Sequence, residues 1–178
     1  MIELIRVGKK DLTLKYLMNI HYTKPKGFVG RSICYLIFCN GVCYGAIVGG
    51  SATLHLPNRN EYFNNSHLNN IVNNVFFHIE PMGGYPIRNF AQKVLTMFEE
   101  RIAEDWLKKY GDKVIGIETL VEPPRTGEVY LRCKYEQIGI TKGFTCKRKS
   151  GDGSDDWGGK RVWNTKDLKP KLVFAKLL

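Results

Sequence analysis

The stretch from Leu68 to Val121 constrains the fold more than any other part of the chain. Leu68–Ile79 carries apolar side chains on both parities, Ile71, Val75 and Phe77 on one and Val72 and Phe76 on the other. A strand apolar on both faces belongs inside a sheet with both faces covered. A turn, Glu80-Pro81-Met82-Gly83-Gly84-Tyr85-Pro86, separates it from a segment with helical periodicity over Ile87–Tyr110. In that segment Ile87, Phe90, Ala91, Val94, Leu95, Phe98 and Ile102 form one stripe, and Gly111 ends it. Val114–Val121 is a second two-sided apolar run, stopped by Pro123-Pro124. Strand, long helix and strand in this order predict parallel neighbours joined by a crossover helix, and therefore an α/β fold.

The flanking segments fit around that unit. Ile2–Val7 reads as a strand, and Asp11 can cap a helix over Leu12–Tyr22 with Leu14, Leu17 and Met18 on its inner face. Ile33–Cys39 and Val42–Val48 flank Asn40-Gly41, a hairpin signal. Ser51–Ser66 is polar and irregular and is expected to cover something. Gly127–Lys134 fits a short helix and Gln137–Thr145 a final strand.

A glycine turn before a helix gathers free N–H groups at the positive end of the helix dipole, which suits phosphate. Gly83 and Gly84 supply the turn here, and Arg88 and Asn89 fall in the first helical turn. Glu118 lies in an otherwise apolar strand. A carboxylate there is either solvent-facing at a strand end or buried, and buried carboxylates are rare unless paired or catalytic, so Glu118 is a candidate active-site residue. His21-Tyr22 closes the first helix, where an imidazole can act as a base near neutral pH or ligate a metal. His55, His67 and His78 carry no spacing signal and read as structural.

Lys and Arg outnumber Asp and Glu, 27 to 17, for a formal charge of +10. Such an excess favours a polyanionic partner. Two clusters stand out: the loop with Lys24, Lys26 and Arg31, and the run Lys147-Arg148-Lys149 that opens a basic C-terminal extension from about residue 146. Glycines break that extension and exclude a basic amphipathic helix, which favours nucleic acid over a membrane surface. The five cysteines are odd in number and lack C-x-x-C spacing, so reduced thiols are expected. No segment has the apolar length of a membrane span, and the start lacks a signal-peptide pattern, so the expected location is the cytoplasm.

The order from Leu68 to Thr145 resembles the core of GNAT acyltransferases. The resemblance implies one GNAT-like domain over residues 1–178, a mixed central sheet with two splayed parallel strands flanked by helices. It further implies that acetyl-CoA or another acyl or glycyl donor lies between Leu68–Ile79 and Val114–Val121. The segment Gly127–Tyr135 with Ile138-Gly139 is similar to a later GNAT motif, which implies that Tyr130 lies near the donor's thiol. The usual pyrophosphate loop, Arg/Gln-x-x-Gly-x-Gly/Ala, has no match in the chain.

A second resemblance covers about residues 20 to 165. His21-Tyr22 with Lys24, Gly27 and Arg31, then Gly49-Gly50-Ser51-Ala52, Asn69–Asn74, Arg88-Asn89, Glu118-Thr119, Arg125-Thr126-Gly127, Tyr130 and Thr141-Lys142-Gly143 are similar to the phage Mom family of DNA-modification proteins. A family of phage-defence proteins shares the same motifs more distantly. The Mom resemblance implies alteration of adenine N6 in duplex DNA by a carbamoylmethyl-type group that defeats restriction. It implies His21, Tyr22, Glu118 and Tyr130 as catalytic residues, and adds Arg125 and Lys142 to the DNA-binding set. A carbamoylmethyl group is joined to N6 through its methylene carbon, which plain acyl transfer does not produce. Iron, linked to the Mom family, would then sit at His21. Two alternatives stand beside this reading: an N-acetyltransferase acting on a protein or small amine, and a non-catalytic DNA-binding protein on a GNAT scaffold.

Overall fold

A computed structural model describes residues 1–80, 84–148, 161–164, 166 and 168–178. The chain runs through strands β1 (Ile2–Val7), β2 (Ser32–Cys39), β3 (Val42–Ser51), β4 (Ile71–Ile79), β5 (Gly116–Val121), β6 (Glu136–Ile140), β7 (Thr145–Arg148), β8 (Arg161–Asn164) and β9 (Leu172–Leu177). Helices α1 (Leu12–Ile20), α2 (Arg59–Tyr62), α3 (Phe90–Tyr110) and α4 (Glu128–Arg132) are interspersed. Seven strands form one sheet in the order β1-β2-β3-β4-β5-β9-β6, and β7 pairs with β8 separately. Within the large sheet β4 and β5 are parallel and every other pair is antiparallel.

The first hairpin forms at Asn40-Gly41, both at positive φ, as a type I′ connection requires. Asp11 accepts from the Leu14 N–H at 3.0 Å and starts α1, whose Leu14, Leu17 and Met18 pack on Cys34, Ala46, Val48 and Phe76. On the opposite face α3 buries Phe90, Val94, Leu95, Phe98, Ile102 and Trp106 against Tyr35, Ile47, Val72 and Ile117. The two-sided apolar strands are thus covered on both faces. Cys34, Cys39 and Cys133 are buried free thiols.

Several boundaries differ from the sequence reading. Leu68–Asn70 is a 3₁₀ turn, because the His67 side chain accepts from the Asn69 N–H and winds the chain before β4 begins. The helix expected from Ile87 starts at Phe90, since Asn89 adopts φ 57° and breaks the helical path. The helix expected to reach Tyr22 ends at Ile20, where His21 turns to extended backbone. Gln137–Thr145 is not a final strand: β6 stops at Ile140, and β9 inserts between β5 and β6 with Val173, Phe174 and Ala175 fully buried. The segment read as a basic extension therefore ends inside the core. The irregular stretch after β3 contains α2 and lays Phe63 and Arg59, both buried, over β5. Among the described residues, no helix is long and apolar enough to cross a membrane.

Candidate functional site

The site is built where β4 and β5 part. They pair at Ile71↔Gly116, Val72↔Ile117 and Asn73↔Glu118, and the ladder goes no further. A bulge in β4 explains the parting. Val48 of β3 faces Phe76 and Gly49 faces Asn74, which leaves Val75 without a partner. An extra residue of this kind bends the strand that carries it. Beyond Asn73 the backbone of β4 has no strand partner on the β5 side, and a cavity of about 1020 Å³ opens there. Its walls include His21, Tyr22, Asn73, Asn74, Phe77, His78, Thr119, Arg125 and Tyr130.

Asn74 sits at the fork, 3% exposed. Its side-chain nitrogen donates to the carbonyls of Val48 and Phe76, both at 3.1 Å, on either side of the bulge. Its Oδ1 accepts from the Tyr130 hydroxyl at 2.7 Å, and its own carbonyl accepts from Thr119 Oγ1 at 2.9 Å. Sequence reasoning gave Asn74 no role. The available signal was a pair of amides inside an apolar strand.

Tyr130 reaches this point because α4 starts at Gly127, at φ 73°. A Cβ there would lie 2.4 Å from the Phe174 ring, so the close approach of α4 to β9 requires glycine. Phe77, Tyr135 and Phe174 surround the Tyr130 ring. Burial pushes the Tyr130 hydroxyl well above the usual tyrosine range and keeps it neutral.

His21 caps α1 through its N–H to Leu17 O at 3.1 Å, and its ring lies 4.3 Å from Tyr22, 4.7 Å from Phe76 and 5.4 Å from His78 between centroids. Nδ1 is 3.3 Å from the Thr23 N–H nitrogen, which it accepts from, and 2.8 Å from Thr23 Oγ1. Burial, and then the charges of His78 and Arg125, push the His21 pKa down to about 4. The ring is therefore neutral at pH 7. His78, read from the sequence as structural, lines the cavity and pairs with Glu80 at 3.1 Å. The Arg125 guanidinium lies over the Tyr22 ring, 3.3 Å from its centroid, as a cation–π contact at the cavity mouth.

Three of the four expected catalytic residues, His21, Tyr22 and Tyr130, thus share one cavity. Glu118 does not line it. Neighbouring residues of a strand face opposite sides, and Glu118 points beneath α2 while Thr119 turns to Asn74. Glu118 accepts from the Thr53 N–H at 2.7 Å and pairs with Arg59 at 3.5 Å. Burial pushes its carboxyl up, and Thr53 and Arg59 pull it back part of the way.

The segment expected to bind phosphate lies at the start of α3. α3 follows the parting end of β4, and its N-terminus has no side-chain cap at Asn89. Gly84, Arg88 and Asn89 are exposed ahead of it, and Gly83 lies outside the described residues. Of the DNA-binding set, Lys24 and Lys26 are exposed beside the cavity-lining Thr23 and Pro25, and Arg125 is at the mouth. Arg31 is elsewhere. It precedes Ser32, whose partner Gly50 pairs with Asn73 at the closed end of the fork, and it binds Asp112 and covers Tyr110. Lys142 is exposed after β6. Lys147 and Arg148 lie in β7 with their side chains outside the description, as is all of Lys149. Among the described residues, no three His, Cys, Asp or Glu side chains group as a metal site around His21 or elsewhere.

Residues 1–146 match the family described as Druantia protein DruA. The chain belongs to the DruA family. The matching family is DruA and not Mom, to which the sequence reading had drawn the closer resemblance. A search of curated proteins finds no match. Among solved structures, an acetyltransferase from Bacillus subtilis in complex with CoA is 10% identical, with a TM-score of 0.62 over 100% of this chain and 99% of that one. A GNAT family acetyltransferase from Elizabethkingia anophelis with acetyl-CoA bound is 11% identical, with a TM-score of 0.57 over 99% and 98%. A spermidine/spermine N-acetyltransferase from Vibrio cholerae is 11% identical, with a TM-score of 0.54 over 99% and 95%. At these identities the likeness is one of fold. This DruA-family chain has the GNAT fold, with its splayed pair at β4 and β5.

Proposed function

We propose that the chain is an acyltransferase that takes an acyl-CoA donor into the fork and transfers its acyl group to an amine of a protein or small molecule. The carrying observation is the bulge-driven parting of β4 from β5 around a cavity lined by Tyr130 and His21. The residues fit such a donor in three respects. The unpaired edge of β4 offers N–H and C=O groups to an extended amide-bearing arm, as a sheet edge does to a peptide. The uncapped start of α3, with Arg88 beside it, suits a pyrophosphate. The neutral Tyr130 and His21 add no charge to the cavity near the reacting groups. The solved structures with CoA and acetyl-CoA support this reading by likeness of fold.

A bound acyl-CoA supplies a thioester carbonyl that an amine can attack, giving an amide and a free thiol. A pKa near 4 makes His21 a weak base at pH 7, since a general base works best near the operating pH. In this reading His21 and Tyr22 orient the acceptor, and Tyr130 contacts the donor. Most of the rate then comes from holding amine and carbonyl together.

A second reading keeps DNA as the acceptor. The charge of +10, with Arg125 lining the cavity and Lys24 and Lys26 exposed next to its lining residues Thr23 and Pro25, favours it. Adenine N6 would then receive the group. Thiol release from acetyl-CoA tests both readings, measured with polyamines, with peptide N-termini and with duplex DNA. The first reading expects release dependent on an amine, with acyl-amine product by mass spectrometry. Release that depends on duplex DNA, with a modified adenosine after digestion, overturns it for the second.

A further inference from the structure

The bonds around Asn74 fix which way the hydrogen of Tyr130 points. The Asn74 side chain lies against two backbone carbonyls, those of Val48 and Phe76, each 3.1 Å from its nitrogen. A carbonyl oxygen can only accept, so the NH₂ of Asn74 must face them. The opposite amide orientation would set an oxygen against two oxygens. Oδ1 is then left facing the Tyr130 hydroxyl at 2.7 Å. An amide oxygen also can only accept, so Tyr130 is the donor. Thr119 also hydrogen-bonds with Tyr130, and because its own hydroxyl hydrogen goes to the Asn74 backbone carbonyl at 2.9 Å, toward Tyr130 it too is an acceptor, which leaves the Tyr130 proton directed inward. All four groups are buried, where an unmade bond is costly, and this holds the arrangement in one state.

We infer that Asn74 is a positioning residue that commits the Tyr130 proton inward, so that Tyr130 meets the ligand in the cavity as a hydrogen-bond acceptor and not as a proton donor. Tyr130 lines the cavity, and after donating to Asn74 its oxygen still has lone pairs to offer. The ligand that fits presents an N–H, O–H or S–H at the fork. One side chain also ties two features together: the NH₂ of Asn74 closes the bulge that parts the strands, and its Oδ1 orients the tyrosine beside the gap. The identity of the ligand as a CoA-type donor rests on the proposed function. The orientation of Tyr130 does not.

The experiment uses the full chain with CoA as probe. The hydroxyl proton of Tyr130, assigned by its loss in Tyr130→Phe, should appear in proton NMR as a slowly exchanging resonance with cross-peaks to the Asn74 amide. In Asn74→Leu it should shift upfield and exchange faster, since its principal acceptor is gone. If that variant folds poorly, the wild-type resonance and its cross-peaks to the Asn74 side-chain amide protons decide the orientation alone. On titration with CoA the wild-type resonance should remain, still coupled to Asn74. Tyr130→Phe should bind CoA roughly two- to tenfold more weakly, the worth of one neutral hydrogen bond. A hydroxyl proton without contact to Asn74, or one that turns to the ligand when CoA binds, overturns the inference. So does unchanged CoA affinity in a folded Tyr130→Phe. If wild-type chain does not bind CoA, the donor reading falls, and the spectrum without CoA still decides the orientation of Tyr130.

Discussion

Replacing Glu118 by alanine strands the Arg59 guanidinium in the core. The two side chains are 0% and 4% exposed, so neither charge can turn to water. Arg59 also donates to the carbonyls of Thr53 and Leu54, which hold it in place after its partner is gone. Breaking a buried pair from one side costs about 3–5 kcal/mol, which for a chain of 178 residues lowers Tm by roughly 10 °C. The double variant Glu118→Leu with Arg59→Met removes both charges and should recover most of the loss, because the desolvation cost disappears along with the attraction. Urea unfolding with an unchanged m-value reads both. A pH series adds a signed test. The folded-state pKa of Glu118 is raised, so the stability the neutral carboxyl provides is present below its unfolded value and lost as pH rises through the folded one. Glu118→Gln should remove that fall. An unchanged Tm in Glu118→Ala would refute the reasoning. So would Glu118→Gln that abolishes acyl transfer with melting and CoA affinity intact, since that is the behaviour of a catalytic group.

Further predictions follow from the same geometry. The His21 pKa is lowered to about 4 from 6.5, so the unfolded chain takes up the proton first and stability falls as pH drops through that window. The loss is at most about 3 kcal/mol, and His21→Gln should flatten it in thermal melts from pH 7 to 4. Gly127→Ala forces positive φ and a clash with Phe174, and should lower Tm by several degrees and broaden the NMR signals of Tyr130. Arg125→Ala removes the guanidinium from Tyr22 and should weaken acceptor KM more than kcat, with thiol release as the assay. Replacing Lys147, Arg148 and Lys149 by alanine should flatten the salt dependence of duplex DNA binding by roughly one log–log unit for each phosphate these side chains neutralise; an unchanged slope removes that segment from any DNA interface.

The sequence showed most clearly what is written in local periodicity. The Asp11 cap, the Asn40-Gly41 turn, the apolar stripe of α3 and the two-sided β4 and β5 are each decided by neighbours within a few positions. The strand β9 was missed because its partners β5 and β6 lie far away along the chain, and pairing at that distance leaves no local trace. Glu118 stood out as a carboxylate in an apolar strand, but its surroundings depend on Arg59, 59 residues away, and on an irregular segment that had no readable shape. His21, Tyr22 and Tyr130 were legible as a group through resemblance. His78 and Asn74 were not, because what gives them meaning is the bulge at Val75 and the packing of α1 over it. Arg31 has the composition of a phosphate contact, yet folding spends its charge on Asp112 at the far end of the sheet.

The account stands on the fork between β4 and β5 as the seat of the donor. Amide hydrogen exchange, followed with and without CoA, tests this most directly. The account predicts saturable slowing at residues 75–79 of β4 and at the first turn of α3, because the free strand edge and the uncapped helix start acquire partners. Exchange that CoA leaves unaltered at both places, or protection confined to other parts of the chain, would contradict it.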